Sequence, residues 1–391
     1  MITPNAQAFD DWIRGRFCEI NTELENLYFA REDKADVHGV GPELKRELCH
    51  TGRDLIASLV KEGNTDEGFE AGFNLLGNVG FYMAACARHE IGEAEAGPSA
   101  HLREASALAM EVGASLGVTP RFATSHLTTH NLAVNGRYKS FTSLQDEYVF
   151  VDYNNRGILA YKRAAEALLK VLPLGVTHPI APDLFEAAHD ALEAVRRSNE
   201  QLSAKLDVDR FFYSVRPYYK PHKVGFNTYR GANAGDFAGI NVLDLLLGLC
   251  QSNQASYSQL LVEKFLYMMP QDQLILRDCM RQTSLLNSFM TALPEHGNAP
   301  WFQANVASFL KVVDAFGETS RQHHNMLVER FIRVPSQALA TQHHDNLTAS
   351  GPPLPVLLAG LEKLRDQRCA APREDIPTRY ADVQALRALI A

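Results

Sequence analysis

The chain has 391 residues, of which 46% are hydrophobic and 21% charged, the balance of a soluble globular protein with one large domain or two sharing a core. A net charge of −8 argues against nucleic acid or an acidic membrane as partner, yet leaves room for an anionic or zwitterionic small substrate. The start, MITPNAQAFDDW, lacks the basic-then-apolar pattern of a secretory leader, and no run of about 18 apolar residues appears, so a cytoplasmic protein without a membrane span is expected.

Helical periodicity dominates the rest. In chain order the pattern predicts helices over 42–62, 102–116, 145–172, 181–206, 242–250, 256–268, 301–332, 356–368 and 381–390. Breakers fall between them: Gly97-Pro98, then PLGVTHPIAP, 217–235, PEHGNAP and TASGPPLP. Strand patterns are scarce; the best, YVFVDY, also reads as helix. An all-α fold is therefore expected, with a smaller helical domain over 1–115 and a larger one over 116–391. The six cysteines lie far apart and form neither CxxC nor CxxCH, so they read as reduced thiols.

Chemistry concentrates in the second half. In FGETSRQHHNMLVERFIRVP, a wheel at about 100° per residue puts His324 amid Leu327, Val328, Phe331 and Ile332, with His323 at the flank. A histidine there is a core imidazole, an acid–base group or a metal ligand. Arg321, one turn earlier on the same side, would suit an anionic group of a cofactor. In DRFFYSVR, Arg216 is either a bidentate clamp for a substrate carboxylate or a surface residue at a helix end. RGANAGD has neither the lysine of a phosphate loop nor a preceding strand, so its glycines read as backbone brought close to something bulky. INVLDLLLGLC buries Asp244 among leucines, where a carboxylate needs a partner; Arg321 is the expected one. His126 and His130 have a metal-like spacing but no third ligand nearby.

Taken in order, these segments resemble the indoleamine 2,3-dioxygenase superfamily of histidine-ligated heme aromatic oxygenases. RxxH followed by V-x-x-[FY]-I-x-x-P (Arg321, His324, Val328, Phe331, Ile332, Pro335) is similar to its proximal helix. GANAGD with DLLLG is similar to G-G-S-A-G-Q with D-V-L-L-G, and FFYSVR to F-F-x-x-x-R. PRFATSHLTTHN is similar to a wall of the distal pocket, and TASGPPLPVLL to a Thr/Gly-rich loop. VRPYYKPHKVG and TSLQDEY look closer to the branch of monodechloroaminopyrrolnitrin synthase, which rearranges a chlorinated tryptophan.

The resemblance implies a helical bundle enclosing heme b, with His324 on the iron and Arg321, backed by Asp244, on a propionate. It implies Arg216 as carboxylate clamp, Phe211 as aromatic wall, and Thr124 and Leu127 in the inner pocket. Asn233, Ala234 and Gly235 would form a backbone edge over the heme, and Ser350 and Gly351 a closing loop. Three positions depart from the ring-cleaving members. Asn233 replaces Ser, Asp236 replaces Gln, and Thr124 stands where many have a large aromatic. Asp236 is read either as an acceptor for an indole N–H or phenol or as a solvated helix cap. The expected activity is oxidation of tryptophan or a related aromatic amino acid with O2 or H2O2, with a homodimer as the candidate assembly. The rivals are tryptophan ring cleavage, tyrosine hydroxylation and heme sensing without catalysis.

Overall fold

The computed structural model describes residues 3–63, 68–91, 102–232, 235–337 and 354–391. Asn233, Ala234, Ser350 and Gly351 lie outside these ranges. The fold is all-α, as expected, with one two-stranded hairpin among the described residues. Pro42–Glu62, Arg103–Leu116, Ala181–Lys205 and Tyr380–Ile390 match the periodic segments closely. YVFVDY lies inside the helix Gln145–Leu174.

Helices that the periodicity misses have identifiable causes. Phe69–Arg88 is buried on nearly every side, so it carries no polar stripe to set against an apolar one. Pro270–Cys279 starts at a proline, a first-turn position that needs no N–H; Pro300–Gln322 starts the same way and falls within the segment predicted over 301–332. The hairpin pairs His222–Val224 with Asn227–Tyr229. Gly225, at φ +59, takes the left-handed position its two-residue loop requires.

Two compact units emerge. The first comprises Met1–Asp152, Lys205–Asp236 and Phe331–Leu354; the second comprises Tyr153–Ala204, Phe237–Arg330 and Pro355–Ala391. The expected cut after residue 115 thus falls inside the first unit. The first unit's core is a run of aromatic rings: Phe17, Phe81, Phe122, Phe141 and Tyr218, with neighbouring centroids 4.4–6.4 Å apart. In the second unit, Phe185, Phe289, Phe302 and Phe309 pack with Leu243, Leu246 and Leu247.

Three buried histidines of the first unit are held neutral. Burial lowers His89, His126 and His222, the last to about 4, with further lowering from Arg88, Lys139 and Arg121 respectively. Such groups give stability that is complete above their unfolded value near 6.5 and is lost as pH falls toward the folded value. Glu147 opposes them. Burial pushes it up to about 7 despite donors from Phe141 N, Thr142 N and Thr142 Oγ1. With three groups against one, the urea midpoint should fall from pH 7 to about pH 5; a midpoint that is flat or rises over that interval contradicts this balance.

Candidate active site

Among the described residues, Ile13–Phe17 is a kink at Gly15 between two helices, while Phe211–Val215 and His323–Arg333 are π-helical. The latter two coincide with the segments that sequence reading singled out. A π turn closes over one more residue than an α turn, so a wheel drawn at 3.6 residues per turn loses phase along His323–Arg333. Val328 and Phe331 are buried, whereas Leu327, Ile332 and His324 are only partly so. His324 is therefore not the centre of a sealed apolar stripe.

One nitrogen of its ring is nonetheless sealed in protein. Nδ1 is buried without a partner among the described residues, leaving Nε2 as the nitrogen on the open side. Burial, then the charge of Arg365, lowers its pKa, so the imidazole is neutral near pH 7. His323 is exposed in area, yet surrounding protein and then Arg368 bring it to about 4.

Among the described residues no three His, Cys, Asp or Glu side chains gather into a metal-binding group. His126 is engaged at Nδ1 by Ala123 N (3.0 Å) and stacks on Phe73 at 4.0 Å. A porphyrin asks for less, since it supplies four nitrogens itself and needs one neutral imidazole. His324 meets that requirement, although its Nδ1 has no carbonyl or carboxylate to orient it, as ligand imidazoles usually do.

The expected Asp244–Arg321 pair is not formed. Asp244, fully buried, accepts from Arg368 Nε and Nη2, both at 2.8 Å, and from Tyr257 Oη at 2.7 Å. Arg321 is exposed and pairs with Glu318 one turn back at 2.9 Å. The parallel fork satisfies both carboxylate oxygens in the interior, and Arg321 on the outer side of its helix has no comparable access. Removing either member of the buried pair would strand a charge, at about 3–5 kcal/mol. The cation whose charge acts most on His323 is thus Arg368, and that on His324 is Arg365.

In the first unit, Arg216 opens the 3₁₀ turn Arg216–Tyr219. It is 6% exposed, lies 5.4 Å over the Phe212 ring, and is lowered by burial to about 10, so it remains a cation at neutral pH. The reading as a surface arginine fails. Phe211 sits 4.8 Å from Phe150 and 5.9 Å from Phe331, joining FFYSVR to the end of the histidine segment. Thr124, partly buried, starts a short 3₁₀ turn, and Leu127 just beyond it is buried.

Asp236 is neither of the things expected of it. Arg121 Nη2 donates to its Oδ2 at 2.6 Å, and Arg230 Nη2 holds Oδ1. With both oxygens taken and its side chain 1% exposed, it has no lone pair turned toward a substrate and is no solvated cap. Arg121 also donates to Arg230 O at 2.9 Å, tying together the two ends of the Gly-rich segment. Gly231 is obligatory, because a Cβ there would meet Tyr219 O at 1.8 Å. Gly235 is a partly buried turn residue.

A sequence model of one family, monodechloroaminopyrrolnitrin synthase PrnB, matches residues 3–390. The chain belongs to that family. PrnB enzymes are heme-dependent, tryptophan-modifying oxygenases of pyrrolnitrin biosynthesis. The match takes in every PrnB-like segment noted above.

Two charged residues of this PrnB-family chain, one in each unit, escaped sequence reading. Arg121 lies within PRFATSHLTTHN, but nothing local announces a partner 115 positions away. Arg368 stands 124 residues from Asp244, at the end of the helix Leu354–Arg368, with no signal in between.

Proposed function

We propose that this protein is a heme-dependent oxygenase that oxidises the ring of L-tryptophan or a related aromatic amino acid in specialised metabolism. The observation that carries the reading is a buried cation, Arg216, against an aromatic wall in a PrnB-family chain. Heme b would be held through His324 Nε2, with Arg368 or Arg321 as candidate cations for its carboxylates. When bound, the heme supplies activation of O2 or peroxide.

The protein's own residues do the positioning. Arg216 grips the substrate carboxylate through its fork. Phe211 and Phe150 hold the ring and keep water away. Thr124 and Leu127 line the inner end, where the small Thr124 leaves room for a ring substituent. No described helix is long and apolar enough to cross a membrane. A heme sensor without catalysis would have no use for a carboxylate clamp.

The alternative is ring cleavage. Incubating the reduced heme protein with tryptophan, or a ring-substituted tryptophan, under labelled dioxygen separates the two by product mass. The expected product is monooxygenated or rearranged. Rapid formation of N-formylkynurenine with two labelled atoms would make the protein a ring-cleaving dioxygenase instead.

A further inference from the structure

We propose that Tyr219 is a second anchor for the amino-acid head group, its hydroxyl accepting a hydrogen bond from the α-ammonium while Arg216 holds the carboxylate. This rests on the function proposed above. The Tyr219 hydroxyl is buried and has no hydrogen-bond partner among the described residues. A phenol buried in this way is costly unless something arrives to satisfy it. Burial also raises its pKa well above the ordinary value, so it stays a neutral hydroxyl able to donate and accept.

Its position relative to the clamp follows from backbone geometry. Arg216 and Tyr219 are the first and last residues of one 3₁₀ turn, and residues i and i+3 of a 3₁₀ helix are eclipsed. Both side chains therefore leave the same face. The Tyr219 ring is 5.6 Å from Phe150, which is 4.8 Å from Phe211. Tyr219 also meets the core ring Phe141 edge-on at 6.1 Å, while Phe150 is only partly buried, so the accessible side of the row is at Phe150.

The chemistry calls for such a group. A guanidinium has five donors and no acceptor, so Arg216 alone satisfies the carboxylate of a zwitterion and leaves its ammonium bare. The phenol oxygen provides the acceptor that the guanidinium lacks. A ligand with a carboxylate but no amine would gain nothing from that oxygen.

The test compares wild-type and Tyr219→Phe holoenzyme by calorimetry with L-tryptophan, indole-3-propionate and indole. We expect about ten-fold weaker binding of L-tryptophan to the variant, as for loss of one hydrogen bond to a charged group. Indole-3-propionate and indole should bind within about two-fold of wild type, and the heme spectrum should be unchanged. Unaltered tryptophan affinity, or equal loss for all three ligands, would overturn the proposal, the latter by showing a packing role. Wild-type protein that binds tryptophan but carries no heme defeats the heme reading alone. Wild-type protein that binds no aromatic amino acid defeats both.

Discussion

His324→Ala protein should be purified with little or no heme, whereas His323→Ala should keep close to the wild-type complement. The difference is the largest expected here, because under the proposed function one imidazole would supply the whole of the protein's bonding to the iron. Both rings are kept uncharged by burial and nearby arginines, so charge does not separate them. Geometry does: His324 has one nitrogen sealed in protein, leaving the other on the open side. The contest is real because His323–Arg333 is π-helical, and one added residue in a turn is enough to swap which neighbour faces the iron. Heme-to-protein ratio and the Soret band measure the outcome, and imidazole added to the His324→Ala protein should partly restore the band. Heme lost from His323→Ala and kept in His324→Ala would assign the ligand to the other side of the turn.

Arg216→Ala should leave heme content and spectrum intact but weaken amino-acid ligands by about one to two decades, the value of a charge-assisted contact of roughly 1.5–3 kcal/mol. Indole, which has no carboxylate, should bind much as before. The buried setting of Arg216 puts the effect at the upper end, since little water remains there to compete for the carboxylate. Lysine should rescue poorly, because a point charge on a flexible stem lacks the planar fork. Equal losses for tryptophan and indole would mean that Arg216 shapes the pocket without binding the carboxylate. The profile also differs from that expected of Tyr219→Phe, since indole-3-propionate should suffer in Arg216→Ala and not in the tyrosine variant.

Much of this protein was determined by the sequence itself. Amphipathic helices such as Pro42–Glu62 and Ala181–Lys205 were legible because one face meets the core and the other meets water, a contrast that repeats every 3.6 residues. The order of FFYSVR, GANAGD, DLLLG and RxxH was legible for a similar reason. Each is a short run recognisable by its residue types and spacing alone, and the family match over residues 3–390 agrees with them. The burial of Arg216 was not legible, because an arginine after a row of aromatics fits a surface helix end equally well.

Tertiary structure decided the partners. Asp244 chose Arg368 over Arg321, and Asp236 chose Arg121 and Arg230 over a ligand. Buried carboxylates demand countercharge, a need that composition announces, but the cation that answers is whichever the packed chain delivers, here from 124 and 115 residues away. Register behaved likewise. The widening at His323–Arg333 is not encoded in an apolar pattern read at constant pitch; it follows from how that segment is packed. Residue types and local periodicity thus set which elements form and which chemistry is on offer, while long-range convergence of side chains set which groups are neutralised and which are left open to a ligand.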